Sequence, residues 1–442
     1  MEQSIVIERM GSGAEAVGHL EGGKAVFVEG GAPGDVATIE IIEDKPSFAR
    51  ARIVRLDEAS PARAVTACPQ GDLCGCCSWA HLSYEAQLEA KRANVVAALV
   101  HTAHVEPTMA EDLVGPCLPS KREWGYRNKL ELATRFDDNG VFTVGFHREG
   151  SHDVAPVDSC PLAHRFIAKA PKALRGALRY AQGSQDLGIF RIGVRGSLRT
   201  RDVEIALWTK PGPFPRGHAA NTLKSALRAT SIVRVLAEPG KERKIKGVEV
   251  LDGKGRWDEE LAGARFSTSA PSFFQVNTAQ AENLVNEAMA ALGAAGSLDG
   301  AFVADLYAGG GTFSVPLALA GADVVAVESA GSSVRDLRRN ADENGVDIDV
   351  VGGDAARELP DLGHLDALVV DPPRAGLAGG VVESIAAAAP DRVVYVSCNP
   401  ATWARDVERF EANGYRLSQA QPVDLFPQTP HCEICSVLSR QA

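Results

Sequence analysis

Two short stretches carry groups that could make and break bonds. RVVYVSCNP is an apolar run ending in Ser397-Cys398-Asn399-Pro400, followed by a helix-like stretch. A thiol at a strand's carboxyl end, just before a helix, can have its thiolate stabilised by helix N–H groups. Cys398 is therefore a candidate nucleophile, with a small buried cysteine as the alternative. LFPQTPHCEICSV places His431 and Glu433 at alternate positions of an extended stretch, on one face. A carboxylate held beside a thiol supplies a base to a nucleophile. The alternative for Glu433 is a solvent-facing edge strand. Cys432 and Cys435 form a C-x-x-C, but no second pair lies nearby to make a zinc knuckle.

A third group is the cysteine-rich turn TACPQGDLCGCCSW. Cys68-x5-Cys74-x2-Cys77 puts three thiolates on one tight turn, and Cys160, in PVDSCPLAH, is the best fourth ligand for a four-iron cluster. Cys76 could replace a neighbour. A zinc site and a disulfide are the rivals. The x5 gap fits zinc poorly, and a reducing cytosol disfavours disulfides.

The elements that position these groups follow from hydropathy. From Thr278 onward, continuously apolar strands alternate with helices: AFVADLYAGGGT, DVVAVES, IDVVGGDA, LDALVVDPP and RVVYVSCNP. This pattern predicts a parallel sheet covered on both faces. Gly309, Gly310 and Gly311 form a turn between a buried strand and a helix, where a ligand can approach the backbone. Glu328 ends the next strand, where it could accept two ribose hydroxyls, and Asp354 ends the third. Loop capping is the alternative for both. The turn has neither the G-x-G-x-x-G of a dinucleotide fold nor the G-x-x-x-x-G-K of a phosphate loop, so adenosyl-methionine fits better than a nicotinamide. Asp371-Pro372-Pro373 fixes the next strand end and presents a carboxylate to the crevice.

Upstream, residues 1–58 alternate short apolar runs (SIVIERM, KAVFVEG, DVATIEII, ARARIVRL) with turn signals, which predicts a small barrel. Residues 84–100 read as a helix. YRNKLELATRF and FTVGFHR predict a hairpin around DDNG, residues 166–182 a helix, and FRIGVRGSL with DVEIALWT a second hairpin. The chain has 442 residues, enough for two to four domains, and 45% hydrophobic residues, which excludes a disordered acidic tail. No apolar run approaches the roughly 20 residues of a membrane span. MEQSIVIERMGSG has no basic flank and does not read as a signal peptide. The net charge of −11 taken alone argues against a nucleic-acid partner, but it divides into −8 for residues 1–120, +10 for 121–270 and −13 for 271–442. The basic middle block could neutralise phosphates, and a solvated mixed-charge surface is its alternative.

Taken in order, YRNK (126–129), FFQVN (273–277), DLYAGGGTF, DPPRAG, SCNP-x-T-x-x-RD and FPQT-x-H-x-E resemble the RNA uracil-C5-methyltransferase family over almost the whole chain. The resemblance implies three parts: an OB-like TRAM barrel (1–58), a central α+β domain with an iron–sulfur cluster and a basic RNA-facing surface (59–268), and a C-terminal α/β Rossmann-like methyltransferase domain (269–442). It makes Cys398 the nucleophile and Glu433 the base. It places Gln275, Tyr307, Thr312, Glu328, Asp354 and Asp371 around S-adenosyl-methionine and uracil, with Phe273 as a stacking partner. Cys68, Cys74, Cys77 and Cys160 match the [4Fe-4S] ligands. Cys76 departs from the glycine usual in the cluster turn. The implied partner is structured RNA, 23S ribosomal RNA ahead of the transfer-RNA T-loop, with no DNA and no membrane, and the implied state is a cytoplasmic monomer. Two other classes are open. One is a non-catalytic RNA-binding or assembly protein, which the Cys398/Glu433 pair opposes. The other is a radical adenosyl-methionine enzyme, which the cysteine spacing opposes. The basic block, with Arg127 and Lys129, is expected to form the main RNA-facing wall.

Overall fold

Residues 2–441, except 138, 149, 184, 242, 243 and 295, are described by the computed structural model. Residue 138 of the DDNG turn and residue 295, at the end of the helix expected from 278, thus lie outside the described residues. The N-terminal strands β1 (Glu2–Met10), β2 (Ala16–His19), β3 (Ala25–Glu29), β4 (Val36–Asp44) and β5 (Phe48–Glu58) close into a barrel in the order β1-β2-β3-β5-β4. Alternate residues such as Ile5, Ile7, Val26, Val28 and Ile39 fill its interior. β2 lies inside a stretch that reads as turn, because four residues, AVGH, are too few to show a period. Its Gly18 is required by a close crossing: a Cβ there would stand 2.6 Å from the Val6 carbonyl oxygen.

The middle of the chain forms a seven-stranded sheet from β6 (Lys129–Phe136), β7 (Phe142–His147), β8 (Val154–Ala155), β9 (Ile189–Gly196), β10 (Val203–Thr209), β11 (Ser231–Leu236) and β12 (Gly247–Gly253). Both expected hairpins are present, as β6–β7 and β9–β10. Helices Ala170–Gln182 and Arg216–Leu227 cover one face through Leu174, Leu178 and Leu223. A separate hairpin, β13 (Trp257–Leu261) with β14 (Ala264–Thr268), leads into FFQVN.

The C-terminal sheet comprises β15 (Phe302–Leu306), β16 (Asp323–Glu328), β17 (Ile348–Gly352), β18 (Ala367–Val370), β19 (Arg392–Ser397), β20 (Tyr415–Val423) and β21 (Glu433–Arg440), in the order β17-β16-β15-β18-β19-β21-β20. β15 to β19 are parallel, as their apolar runs predict, and β21 and β20 continue the sheet antiparallel. Strand order, not direction, reverses between β15 and β18, so a crevice opens at their carboxyl ends.

Helix Tyr84–His101 precedes the central sheet in sequence, yet it packs Val95, Val96 and Leu99 into the C-terminal sheet's core. Ser83 caps it by accepting from Ala86 N at 3.3 Å. A second side faces the barrel: Ala86 and Ala90 pack on the barrel core, and Asn94 donates to Gly11 O at 2.9 Å. Tyr84, Gln87 and Lys91, spaced i, i+3, i+7, line up on one helix side and reach the segment 424–428. Lys91 Nζ sits 2.6 Å from Asp424 Oδ1, both side chains 0% exposed, and Tyr84 donates to Asp424 Oδ2 at 2.9 Å. Gln87 and Gln428 exchange two bonds, of 3.0 and 2.8 Å.

Removing one partner of a buried ion pair strands the other charge and costs about 3–5 kcal/mol. Lys91→Met should therefore lower unfolding free energy by about that amount. Lys91→Met combined with Asp424→Leu should recover most of it, as read by urea denaturation.

Candidate active site

The pairing of β19 with β21 ends on Ser397 opposite Ile434, which leaves Cys398 and Glu433 as the next residues on the two chains, and Glu433 acts electrostatically on the Cys398 thiol. The two residues read as nucleophile and base thus meet at one strand end. Glu433 is 4% exposed and starts a strand paired on both sides, so the edge-strand alternative is overturned.

The loops around them are laced together. Asn399 caps helix Pro400–Ala412 by accepting from Ala401 N at 3.1 Å, and its amide donates to Arg374 O at 3.2 Å. Thr402 donates to the same carbonyl. Asp406, fully buried, accepts from Tyr395 Oη at 2.9 Å and from Leu377 N at 2.8 Å. The RD of the motif is thereby scaffolding that joins the DPPRAG loop to the SCNP loop. On the far side, Tyr126 donates to Pro427 O at 3.1 Å. Gln428 adopts a left-handed φ of 71°, a conformation held by its two bonds with Gln87. The polar face of helix 84–101 is the part of this site that motif reading missed. Its signal was a Tyr, Gln and Lys at helical spacing in an alanine-rich helix.

Burial governs the titration of the acids in the crevice. Burial, then Glu433 and Asp371, push the Cys398 thiol up to about 11, against the pull of Arg374. This reverses the sequence expectation of a thiolate stabilised by the helix start. Burial also lifts Asp371 to about 7 and Glu433 well above the usual carboxylate range, the latter helped by Asp371. His431, held down to about 4 by burial and by Arg374, Lys91 and Arg127, is neutral. Cys398, Arg374 and His431 line a cleft of about 520 Å³ whose opposite wall is Arg9 and Phe27 of the barrel and His101 of the long helix.

The residues expected around the cofactor lie at the same sheet edge. Tyr307 takes a left-handed φ of 62°, and Gly309 and Gly311 have φ of 58° and 90°. A Cβ at Gly309 would meet nothing, while one at Gly311 would press on Val315 at 3.2 Å. Gly309 thus leaves room at the turn, and Gly311 lets the following helix pack. Glu328 accepts from Gly309 N at 2.8 Å and Ala330 N at 2.6 Å, and Asp354 accepts from Ala356 N at 3.1 Å. Capping is thus what both carboxylates do here, and it orients them at the strand ends. Thr312 follows the turn, half-buried. Gln275 is 5% exposed and Phe273, two residues earlier, 63% exposed.

Cys68 and Cys160 are buried, Cys74, Cys76 and Cys77 half-buried, and all are free thiols. The Cys76 thiol donates to Cys74 and holds it down to about 6, against burial. Among the described residues, no group of three or more Cys, His, Asp or Glu side chains stands at metal-holding geometry, so the expected four-thiolate set is not formed. The loop carrying Cys160 is tied to YRNK through Gly125 N to Pro161 O and Arg127 N to Leu162 O, at 2.9 and 2.8 Å.

The basic block differs from expectation at Lys129. Its ammonium lies 2.6 Å from Glu131, with 17% of the side chain exposed, and burial and Arg195 lower it to about 8. Arg195 and Arg234 are buried as well. Other cations of the block, among them Lys121, Arg122, Arg165, Lys169 and Lys172, are exposed, and Arg9 and Phe27 of the barrel line the Cys398 cleft. Among the described residues no helix is long and apolar enough to cross a membrane.

The barrel and the sheet order define a methyltransferase fold fused to a TRAM domain. The TRAM family model matches residues 1–54, and the tRNA (uracil-5-)-methyltransferase family model matches residues 83–441. The chain belongs to the tRNA (uracil-5-)-methyltransferase family. An uncharacterised RNA methyltransferase of Gloeobacter violaceus is 36% identical, over 99% of this chain and 96% of its own. One from Thermosynechococcus vestitus is 34% identical, over 98% and 97%. The crystal structure of Pyrococcus abyssi tRNA (uracil-54, C5)-methyltransferase in complex with S-adenosyl-L-homocysteine superposes with a TM-score of 0.74 and 27% identity, over 98% of this chain and 99% of that one.

With burial and two carboxylates acting on it, Cys398 should alkylate slowly at neutral pH. Its rate should rise with pH toward a midpoint near 11. Asp371→Asn should lower that midpoint by about one unit and Arg374→Ala raise it. Mass-spectrometric quantitation of iodoacetamide labelling at Cys398 measures both.

Proposed function

We propose that this protein transfers a methyl group from S-adenosyl-methionine to C5 of a uridine in structured RNA through a covalent cysteine adduct. The observation that carries the reading is the juxtaposition of Cys398 and Glu433, each next to the last paired rung of β19 and β21, close enough for the carboxyl to act on the thiol. C5 of uracil is a poor nucleophile. Addition of the Cys398 thiolate to C6 forms a C–S bond and pushes the C5–C6 π electrons toward O4, leaving an enolate with an electron-rich C5. C5 takes the methyl as the sulfonium carbon–sulfur bond breaks. Glu433 then removes the C5 proton, and the electron pair left behind re-forms the double bond and expels Cys398. Deprotonation of the buried thiol is part of the barrier, and Arg374 lowers it.

Tyr307, Thr312, Glu328 and Asp354 would hold the adenosyl-methionine along the carboxyl edge. Gln275 and Asp371 would read the imide edge of the uracil. Phe273, exposed beside them, would stack on a base, since the target must leave its own stack to enter. The full-length likeness to a tRNA uracil-54 enzyme makes the T-loop the first substrate to test, with 23S ribosomal RNA second.

Cys68, Cys74, Cys77 and Cys160 would hold a [4Fe-4S] cluster. The donors suit soft iron chemically, though they do not stand at ligand geometry: Cys68, Cys160 and Cys74 all act on the Cys77 thiol, and Cys160 accepts from the backbone N–H groups of Leu162 and Ala163. A cluster there would cross-link the turn 68–77 to the loop that buttresses Tyr126. Anaerobically purified protein should contain iron and acid-labile sulfide, and Cys160→Ser should lose both; zinc in their place would overturn the assignment.

Cys398→Ala should reduce methyl transfer to a T-loop or ribosomal RNA fragment on the order of 10^4-fold or more. Glu433→Gln should accumulate a covalent protein–RNA adduct, visible as a retarded band on a denaturing gel. Wild-type methylation rates in Cys398→Ala would refute the covalent route. RNA binding with no transfer to any RNA would favour the assembly-protein reading.

A further inference from the structure

One edge of β14 has no strand partner, yet its backbone groups are satisfied by side chains of a single helix, Gly331–Asn344. Asn344 accepts from Arg265 N at 2.9 Å and donates to Arg265 O at 2.7 Å. Asn340 accepts from Ser267 N at 2.7 Å, and Arg339 donates to Ser267 O at 2.8 Å. Asp336 accepts from Ser269 N at 2.9 Å and from the Ser269 hydroxyl. Asp336, Asn340 and Asn344 recur every four residues, about 6 Å along a helix, against about 6.8 Å for two strand residues. The two repeats nearly match, so one helix face serves as a substitute strand for three successive outward-facing N–H groups.

This ladder joins two parts of the site. Asn340, fully buried, donates its second amide hydrogen bond to Gly310 O at 2.8 Å, in the glycine turn. The helix itself starts three residues after Glu328, whose carboxylate holds both Gly309 N and Ala330 N. At the other end the strand runs on into Ser269–Gln275. There the buried Arg195 donates to Ser269 O at 2.9 Å and to Ser272 O, clamping the residues that lead to Phe273 and Gln275. A rigid path of hydrogen bonds therefore runs from Gly310 through Asn340 to Ser267 and on to the base-reading segment.

We infer that Asn340 is a positioning residue that couples occupancy of the glycine turn to the setting of segment 265–277, so that cofactor binding prepares the RNA-reading side of the crevice. The inference rests on the reading of the turn as the adenosyl-methionine site. The amide is suited to the task because each of its two ends bonds a different backbone, and any shift of Gly310 must move Ser267 or break a buried bond.

The test is hydrogen–deuterium exchange of the full chain with and without S-adenosyl-homocysteine. In the wild type the ligand should slow exchange about fivefold or more both at 307–312 and at 265–277. Asn340→Asp keeps the acceptor for Ser267 N and loses the donor to Gly310 O. It should retain protection of the turn and lose that of 265–277. Asn344→Asp, which loses its donors to Arg265 O and Asn340 O but leaves both side-chain bonds of Asn340 in place, should behave as wild type, and Asn340→Ala gives the same readout should the aspartate variant fold poorly. Protection of the turn without any effect at 265–277 in the wild type would overturn the coupling, as would an unchanged pattern in Asn340→Asp. Absence of turn protection in the wild type would instead refute the cofactor site.

Discussion

The buried ion pair between Lys91 and Asp424 is the constraint on which the rest of the structure turns. Two charges with no solvent exposure are stable only when held against each other with their remaining hydrogen-bonding positions filled. Tyr84 takes the second oxygen of Asp424, and the Phe426 carbonyl takes a further proton of Lys91 at 3.1 Å. Meeting those demands fixes the chain between β20 and β21, and hence where Glu433 enters the sheet. The same helix holds the barrel through Asn94 and the sheet core through Leu99. Barrel, sheet and base thus share one strut, and the cleft beside Cys398 is the space this strut leaves.

The electrostatics of that cleft follow from the burial of its acids. Three acids, Cys398, Asp371 and Glu433, sit where water would otherwise stabilise their charges, and each is pushed toward its protonated form. Under the proposed mechanism such a crevice would keep Cys398 as a thiol until a substrate enters. The cations Arg374 and Arg127 act from its rim, keeping His431 neutral. In the central sheet Lys129, Arg195 and Arg234 face internal partners, while Lys121, Arg122, Arg165, Lys169 and Lys172 of the same block are exposed.

What could be read from the sequence was what is local. Apolar runs between turn signals outlined the barrel and the alternating sheet, and ordered motifs marked Cys398, Glu433, Asp371 and the glycine turn. Three features were invisible for physical reasons. β2 is too short to carry a period. The direction of β21 is set by pairing with β19, and that of β20 by pairing with β21, not by their own residues. The role of helix 84–101 depends on partners more than three hundred residues away, so its Gln and Lys read as an ordinary polar face. The charge count misled at Lys129 because a sum over residues does not distinguish cations facing solvent from cations facing carboxylates.

The central claim is that Cys398 becomes bonded to C6 before the methyl group leaves its donor's sulfur. An RNA carrying 5-fluorouridine at the target position tests it most directly, since fluorine at C5 cannot be removed as a proton and the reaction must halt at the adduct. Incubation with S-adenosyl-methionine followed by intact mass spectrometry should give a species equal to protein plus RNA plus one methyl group, with the cross-link mapped to Cys398. Recovery of unlinked protein and unmodified RNA under conditions where the uridine substrate is methylated would contradict the account.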